Sequence, residues 1–348
     1  MLLNAVKVNE DVLNAVVDYI SRNLGKGEED ILRAVIPDAP DLQIVQRIVE
    51  RFGEEAKKLI NLGLVEKVVS QIVKLYYIIQ ELPDIEEVYD TIVGIVDMLS
   101  PDLDVLDVAS RYQDKKVQQA ALKADTKKLS EVSKKVSETI IASRDLARVL
   151  QELSAGKFFK DKIAILTSYT IHRLLKGTRF ELGNVLSLPA HVDIHLLKVF
   201  LRVGILQIDS EVLEKYAGAG KYKVKIIPVC AKLAPDEPFK TLWDVLRRHS
   251  LSVLKSMSEK LECPQIVLAS YFSSIGRRVC IFNDDSVAGK HLCPIKELRQ
   301  CPLAVVCRTY AGLQNVKIFS RRQARLLLRY FGVSSRRAEE VECELIVI

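Results

Sequence analysis

A chain of 348 residues, 49% hydrophobic and 28% charged, has room for two or three domains with buried cores and is not a disordered composition. No uncharged apolar run approaches the roughly 18 residues of a membrane span, and Met1 to Glu10 lacks a basic region followed by an apolar core. No membrane segment and no secretory signal are therefore expected, and the reading is an intracellular protein of the cytoplasm. The net charge of +6 hides an asymmetry: residues 1–100 hold 10 Lys/Arg against 18 Asp/Glu, and the rest 41 against 27.

The first 150 residues read as successive amphipathic helices. Val12, Val16, Val17 and Ile20 recur at helical spacing, as do Ile44, Ile48, Phe52, Ala56 and Ile60, with Pro37, Pro40, Pro83 and Pro101 between segments. The lysine-rich stretch from Arg111 to Lys135 suits one surface helix or a pair. Ile163 to Leu175 reads as an apolar helix ended by Lys176-Gly177, and a second helix runs from Ile194 to Gly204. Residues 218–240 read as a loop with a short strand in Lys221–Ile227, followed by helices over Thr241–Leu261 and from Gln265 towards Ile275. The final VECELIVI alternates as a strand does. The expected fold class is mainly α. From Arg308 to Arg337 there are eight cations and no acid, which is either a solvated helix face or a surface for a polyanion.

All seven cysteines follow residue 229, and four of them, Cys280, Cys293, Cys301 and Cys307, are spaced C-x12-C-x7-C-x5-C. Thiolates at loop spacings hold iron–sulfur clusters or zinc. Zinc sites usually use paired C-x2-4-C knuckles, which are absent here. The default for Cys230, Cys263 and Cys343 is a buried, inert thiol. IGRRVC (275–280) resembles the Gly-Arg-x-x-Cys that opens the cluster loop of endonuclease III and the adenine mismatch glycosylases. CPLAVVC (301–307) is similar to that family's closing Cys-Pro-Leu-x-x-x-Cys. The family spaces its ligands C-x6-C-x2-C-x5-C, so the first two intervals are expanded here. The resemblance implies a [4Fe-4S] cluster held by the four cysteines, structural in role, beside cations such as Arg277, Arg278, Lys290, Lys296, Arg299 and Arg308 that contact the DNA backbone.

LPAHVDIHLLKVFLRVGIL (188–206) resembles the Pro-x-x-Val-Asp-x-His-Val-x-Arg-Val-Leu-x-Arg-Leu-Gly segment of the helix-hairpin-helix glycosylases. Val192, Asp193, His195, Val199, Arg202 and Gly204 match, while Lys198 replaces an arginine. The resemblance gives Asp193 the role of the carboxylate that stabilises positive charge on the sugar as the base departs. Taken by itself, an aspartate at this place is also a helix N-cap, and the two readings are compatible. His195 reads as structural. LSAGKFFKDKIAIL (153–166) places Leu153, Gly156, Lys162 and Ala164 against the family's phosphate-binding hairpin, without its second glycine. Phe159–Lys162 is similar to an archaeal Phe-x-x-Lys variant. Lys162 then matches the amine that attacks the sugar and allows strand cleavage. Lys157 and Lys160 stand open as alternative nucleophiles, any of the three lysines as a phosphate contact in a monofunctional glycosylase, and Gly156 and Lys160 as DNA contacts.

The resemblance implies an endonuclease III-like two-domain helical fold with N- and C-terminal extensions. The expected regions are an N-terminal helical part (1–105), a helix-hairpin-helix catalytic part (106–215), a cluster part (216–310) and a basic extension (311–348). It further implies a monomeric, nucleoid-associated enzyme acting on double-stranded DNA with a damaged or deaminated base, as an N-glycosylase with associated lyase activity. A non-catalytic iron–sulfur DNA-binding protein and a zinc-stabilised nucleic-acid module are the competing readings. Abundant Ile, Val, Leu, Lys, Arg and Glu fit a thermophile. Tyr169, Trp243 and Tyr271 are possible base-stacking residues, with core as the default.

Overall fold

The computed structural model describes residues 6–83, 85, 88–100, 103–208, 226–228, 238–280, 301–308, 311, 317–319 and 345–347. Two compact units divide the chain: Met1–Lys26, Val192–Leu261 and Tyr271–Ile348 in one, Gly27–His191 and Glu262–Ser270 in the other. Residues 27–105 do not stand alone, because their apolar stripes are buried on helices from beyond residue 126.

The second unit is built of helices α2 (Glu28–Val35), α3 (Pro40–Asn61), α4 (Val65–Glu81), α5 (Tyr89–Asp97), α6 (Val105–Ser110), α7 (Lys115–Leu122), α8 (Thr126–Ser143), α9 (Leu146–Ser154) and α10 (Asp161–Leu175). The lysine-rich stretch thus forms a pair of helices, broken where Asp125 caps α8 by accepting from Lys128 N at 3.0 Å. In α3 the stripe Ile44, Ile48, Phe52, Ala56 and Ile60 is wholly buried. That stripe packs on α10, and α4 packs on α8. Helix α10 is buried on nearly every side and ends as expected, with Gly177 in the left-handed region at φ 77°. Residues 176–193 form a connection held by Gly177 N to Glu181 Oε2 (2.9 Å) and Gly183 N to Arg144 O (2.9 Å).

A charged cluster lies beneath the start of α2. Glu28 accepts from the Tyr169 hydroxyl (2.6 Å) and from Lys176 Nζ (3.1 Å), and Arg173 lies 3.6 Å away. Tyr169 is therefore a core residue. Next to it His172 is 3% exposed, and among the described residues neither ring nitrogen has a hydrogen-bond partner. Burial lowers its pKa, and Lys176 and Arg173 reinforce burial against the opposing pull of Glu28 and Glu181. Below about pH 6.5 the unfolded histidine binds a proton that the folded one resists, so stability is present above that pH and lost as pH falls. The unfolding free energy read from urea titrations should fall by at most about 1.4 kcal/mol in total between pH 7.5 and 5.5, most steeply at the acidic end. His172→Phe should flatten that slope.

The first unit holds β1 (Val6–Val8), α1 (Glu10–Asn23), α11 (Ile194–Val203), β2 (Leu206–Ile208), β3 (Ile226–Pro228), α12 (Pro238–Leu261), β4 (Lys317–Phe319) and β5 (Leu345–Val347). The last helix, α13 (Gln265–Arg278), passes from the second unit into the first at Tyr271. In α1 the buried stripe is Leu13, Val16, Val17 and Ile20, with Val12 at its half-exposed edge. Strand β1 pairs antiparallel with β2, Val6 opposite Ile208. A second sheet has the order β3-β5-β4, all antiparallel. The terminal alternation is thus a strand, and the short strand before residue 240 lies at Ile226–Pro228, the end of the alternating run. Among the described residues no helix is long and apolar enough to cross a membrane. The architecture is mainly helical.

Candidate active site and cysteine region

Helix α11 begins where Asp193, in extended conformation, caps it: Oδ1 accepts from Leu196 N at 2.8 Å. The same oxygen accepts from the Ser273 hydroxyl at 2.9 Å, and Oδ2 faces Arg277 at 3.4 Å. Burial alone would raise the pKa of this carboxyl. The Leu196 N–H, the charges of His195 and Arg277 and the Ser273 hydroxyl outweigh burial and hold it below the usual carboxylate range. Asp193 is therefore an ionised, oriented anion at neutral pH, and its capping role coexists with that charge. Nothing in local sequence marks Ser273 as its partner, eighty residues away.

Arg277 and Ser273 reach Asp193 because α13 lies close against the start of α11. Gly276 makes that approach possible. A Cβ there would meet the carbonyl oxygen of His195 and lie 2.7 Å from its carbonyl carbon. Gly276→Ala should lower stability by about 1–3 kcal/mol through overpacking, read as a drop in melting temperature. A variant as stable as the parent would mean that the two helices separate easily.

Arg202, in the last turn of α11, is 1% exposed. Its guanidinium donates to the carbonyl oxygen of Cys280 (3.1 Å) and to Cys280 Sγ (2.9 Å). Cys307 Sγ donates to Arg202 O at 3.5 Å, and Arg308 N donates to Val203 O at 3.1 Å. Two of the four cysteines thus meet at one arginine. Cys301 is half-buried in the same unit and close enough to Tyr271 to raise that hydroxyl's pKa, after burial as the main cause. Cys293 lies outside the described residues, as do Cys230, Cys343, Lys290, Lys296, Arg299 and the cations from Arg321 to Arg337. Among the described residues no group of three or more His, Cys, Asp or Glu could hold a metal ion. The donor chemistry of four thiols suits an iron–sulfur cluster. The described part brings Cys280 and Cys307 to one arginine without completing a ligand set. Cys263 is a buried thiol with its pKa pushed well up by burial, as an inert cysteine should be. Arg278 is exposed, and Arg277 is engaged with Asp193.

In the second unit, α9 and α10 pack together across a tight hairpin. Gly156 (φ 63°) and Lys157 (φ 54°) are both left-handed, a turn glycine makes cheaply and lysine at about 1–2 kcal/mol. Gln80 of α4 pins the hairpin by donating to Phe158 O (3.3 Å) and accepting from Lys160 N (3.4 Å). Phe159 is buried. The three candidate lysines are now distinct. Lys157 is exposed, and Lys160 Nζ donates to Gln80 O at 2.9 Å. Lys162, in the first turn of α10, is 30% exposed and holds Asp41 of α3 at 2.7 Å. Asp41 was not legible as a partner, since 121 residues separate the two. Tyr271, like Tyr169, is buried, and the side chain of Trp243 lies outside the described residues.

A crystal structure of an 8-oxoguanine DNA glycosylase from Pyrobaculum aerophilum, complexed with 8-oxoguanosine, aligns with 81% of this chain and 94% of its own. The identity is 16% and the TM-score 0.43, a similarity too low to define fold or activity. No family model and no curated protein matches the chain.

Proposed function

We propose that this chain is a DNA base-excision glycosylase of the helix-hairpin-helix superfamily, removing a damaged or deaminated base from double-stranded DNA, with lyase activity through Lys162. The observation that carries this reading is an interlock. Three segments that resemble glycosylase motifs separately (188–206, 275–280 and 301–307) meet through Asp193 with Arg277, His195 with Gly276, and Arg202 with Cys280 and Cys307. A chance match of short motifs has no reason to place the matching residues against one another.

In the proposed reaction the target nucleotide leaves the stack. Asp193, a fixed anion, stabilises the cationic sugar as the C1′–N bond breaks and the base departs with a proton. The Lys162 ammonium gives up that proton, and the freed amine forms the new bond to C1′. Loss of a proton from the nitrogen and opening of the ring give a Schiff base, from which β-elimination expels the 3′ phosphate. A [4Fe-4S] cluster on Cys280, Cys293, Cys301 and Cys307 belongs to the same proposal, as a structural tie for a basic loop. When bound it would supply a fixed, compact charge centre and no step of the chemistry.

The test is release of base from duplexes carrying uracil, hypoxanthine, xanthine, oxidised guanine, thymine glycol or a mismatch. Release from at least one duplex is expected, and release from none would refute the glycosylase reading. Purified protein should be brown with absorption near 400 nm, as a cluster-bearing protein is. A colourless protein with bound zinc would end the cluster assignment. Because the Leu196 N–H, followed by cationic neighbours, holds the Asp193 pKa down, the acidic limb of base release should lie below the ordinary carboxylate range. In Arg277→Met, which removes one such charge, that limb should move to higher pH.

A further inference from the structure

We infer that the corner between α7 and α8, carrying Lys123, Lys127 and Lys128, is a second contact for the phosphate backbone of duplex DNA, continuous with the hairpin between α9 and α10. The identity of the partner rests on the function proposed above.

Two aromatic rings join the corner to the hairpin. Phe158 stacks on Tyr77 of α4 with ring centres 5.6 Å apart and planes 19° from parallel. Lys128 Nζ lies 4.9 Å from the centre of the Phe158 ring, and the Tyr77 hydroxyl donates to Lys123 O at 3.4 Å. Hairpin, rings and corner are therefore one surface. Lys123, Lys127, Lys128 and Lys157 are all exposed on it, and among the described residues no carboxylate pairs with any of the four. Acids in the neighbourhood include Glu131, one helical turn on from Lys127 and Lys128, together with Asp125, Asp161 and Glu81. Asp125 is committed to capping α8.

Unpaired ammonium groups repel one another across a surface unless a polyanion neutralises them, and a duplex releases counterions when they do so. The hairpin side is open to approach as well, since no atom lies within 4 Å of where a Cβ on Gly156 would sit. Lysines on a cap-fixed helix start and a pinned hairpin make point contacts to phosphates, without sequence readout.

The test is the salt dependence of binding to an undamaged duplex, followed by fluorescence anisotropy between about 50 and 200 mM salt. In Lys123→Ala/Lys127→Ala/Lys128→Ala the slope of log K against log salt should become shallower by about 2–3 units, at roughly 0.9 per phosphate contact. A control of equal charge change, Arg33→Ala/Lys57→Ala/Lys58→Ala, should leave the slope near the parent's. An unchanged slope in the first variant, or an equal change in both, overturns the assignment of this surface while the glycosylase reading stands. A parent protein with no salt-dependent duplex binding removes the reading and the inference together.

Discussion

Replacing Asp193 by asparagine is expected to slow base release by about 10²–10³-fold, the range seen when one preorganised charge-stabilising group is lost. The melting temperature should stay close to the parent's. Asparagine keeps an oxygen at Oδ1, which can still accept from Leu196 N and from the Ser273 hydroxyl, so the cap of α11 survives. What disappears is the negative charge and its pairing with Arg277. Asp193→Ala removes charge and cap together and should add a stability loss of about 1 kcal/mol. Single-turnover base release alongside thermal unfolding separates the two effects. An asparagine variant as fast as the parent would leave Asp193 as a cap and nothing more.

The second large effect is expected at Lys162. Borohydride should trap a covalent complex between the parent protein and abasic DNA, and Lys162→Gln should reduce trapping below detection. Glutamine can still donate to Asp41, and the lost ion pair is partly solvated, with the lysine 30% and the aspartate 20% exposed. Its contribution to stability is therefore about 1 kcal/mol or less, and the variant should remain folded. Trapping by Lys162→Gln at the parent's level would move the nucleophile to Lys157 or Lys160. The structure gives those two different standing, since Lys160 is held on the Gln80 carbonyl while Lys157 projects from the hairpin.

Local sequence carried most of the helical architecture. Periodicity and capping located α10 and its glycine stop, and α11 from Ile194 to its cap at Gly204, because those signals act within one or two turns. The lysine-rich stretch remained open between one helix and two, a choice made by Asp125 satisfying the first turn of α8. Which stripe covers which is decided by shape complementarity between segments far apart, as when α3 is buried on α10.

The same division runs through the site. The sequence by itself determined which residue types stand where: a carboxylate at the start of α11, an arginine at its end, lysines at a hairpin, cysteines late in the chain. Only tertiary structure decided what each of them meets. Ser273 and Arg277 hold Asp193, Arg202 gathers Cys280 and Cys307, and Asp41 holds Lys162. The reason is physical. Helix propensity and capping are set by neighbours a few residues away, whereas hydrogen bonds and ion pairs are short-ranged in space and indifferent to distance along the chain.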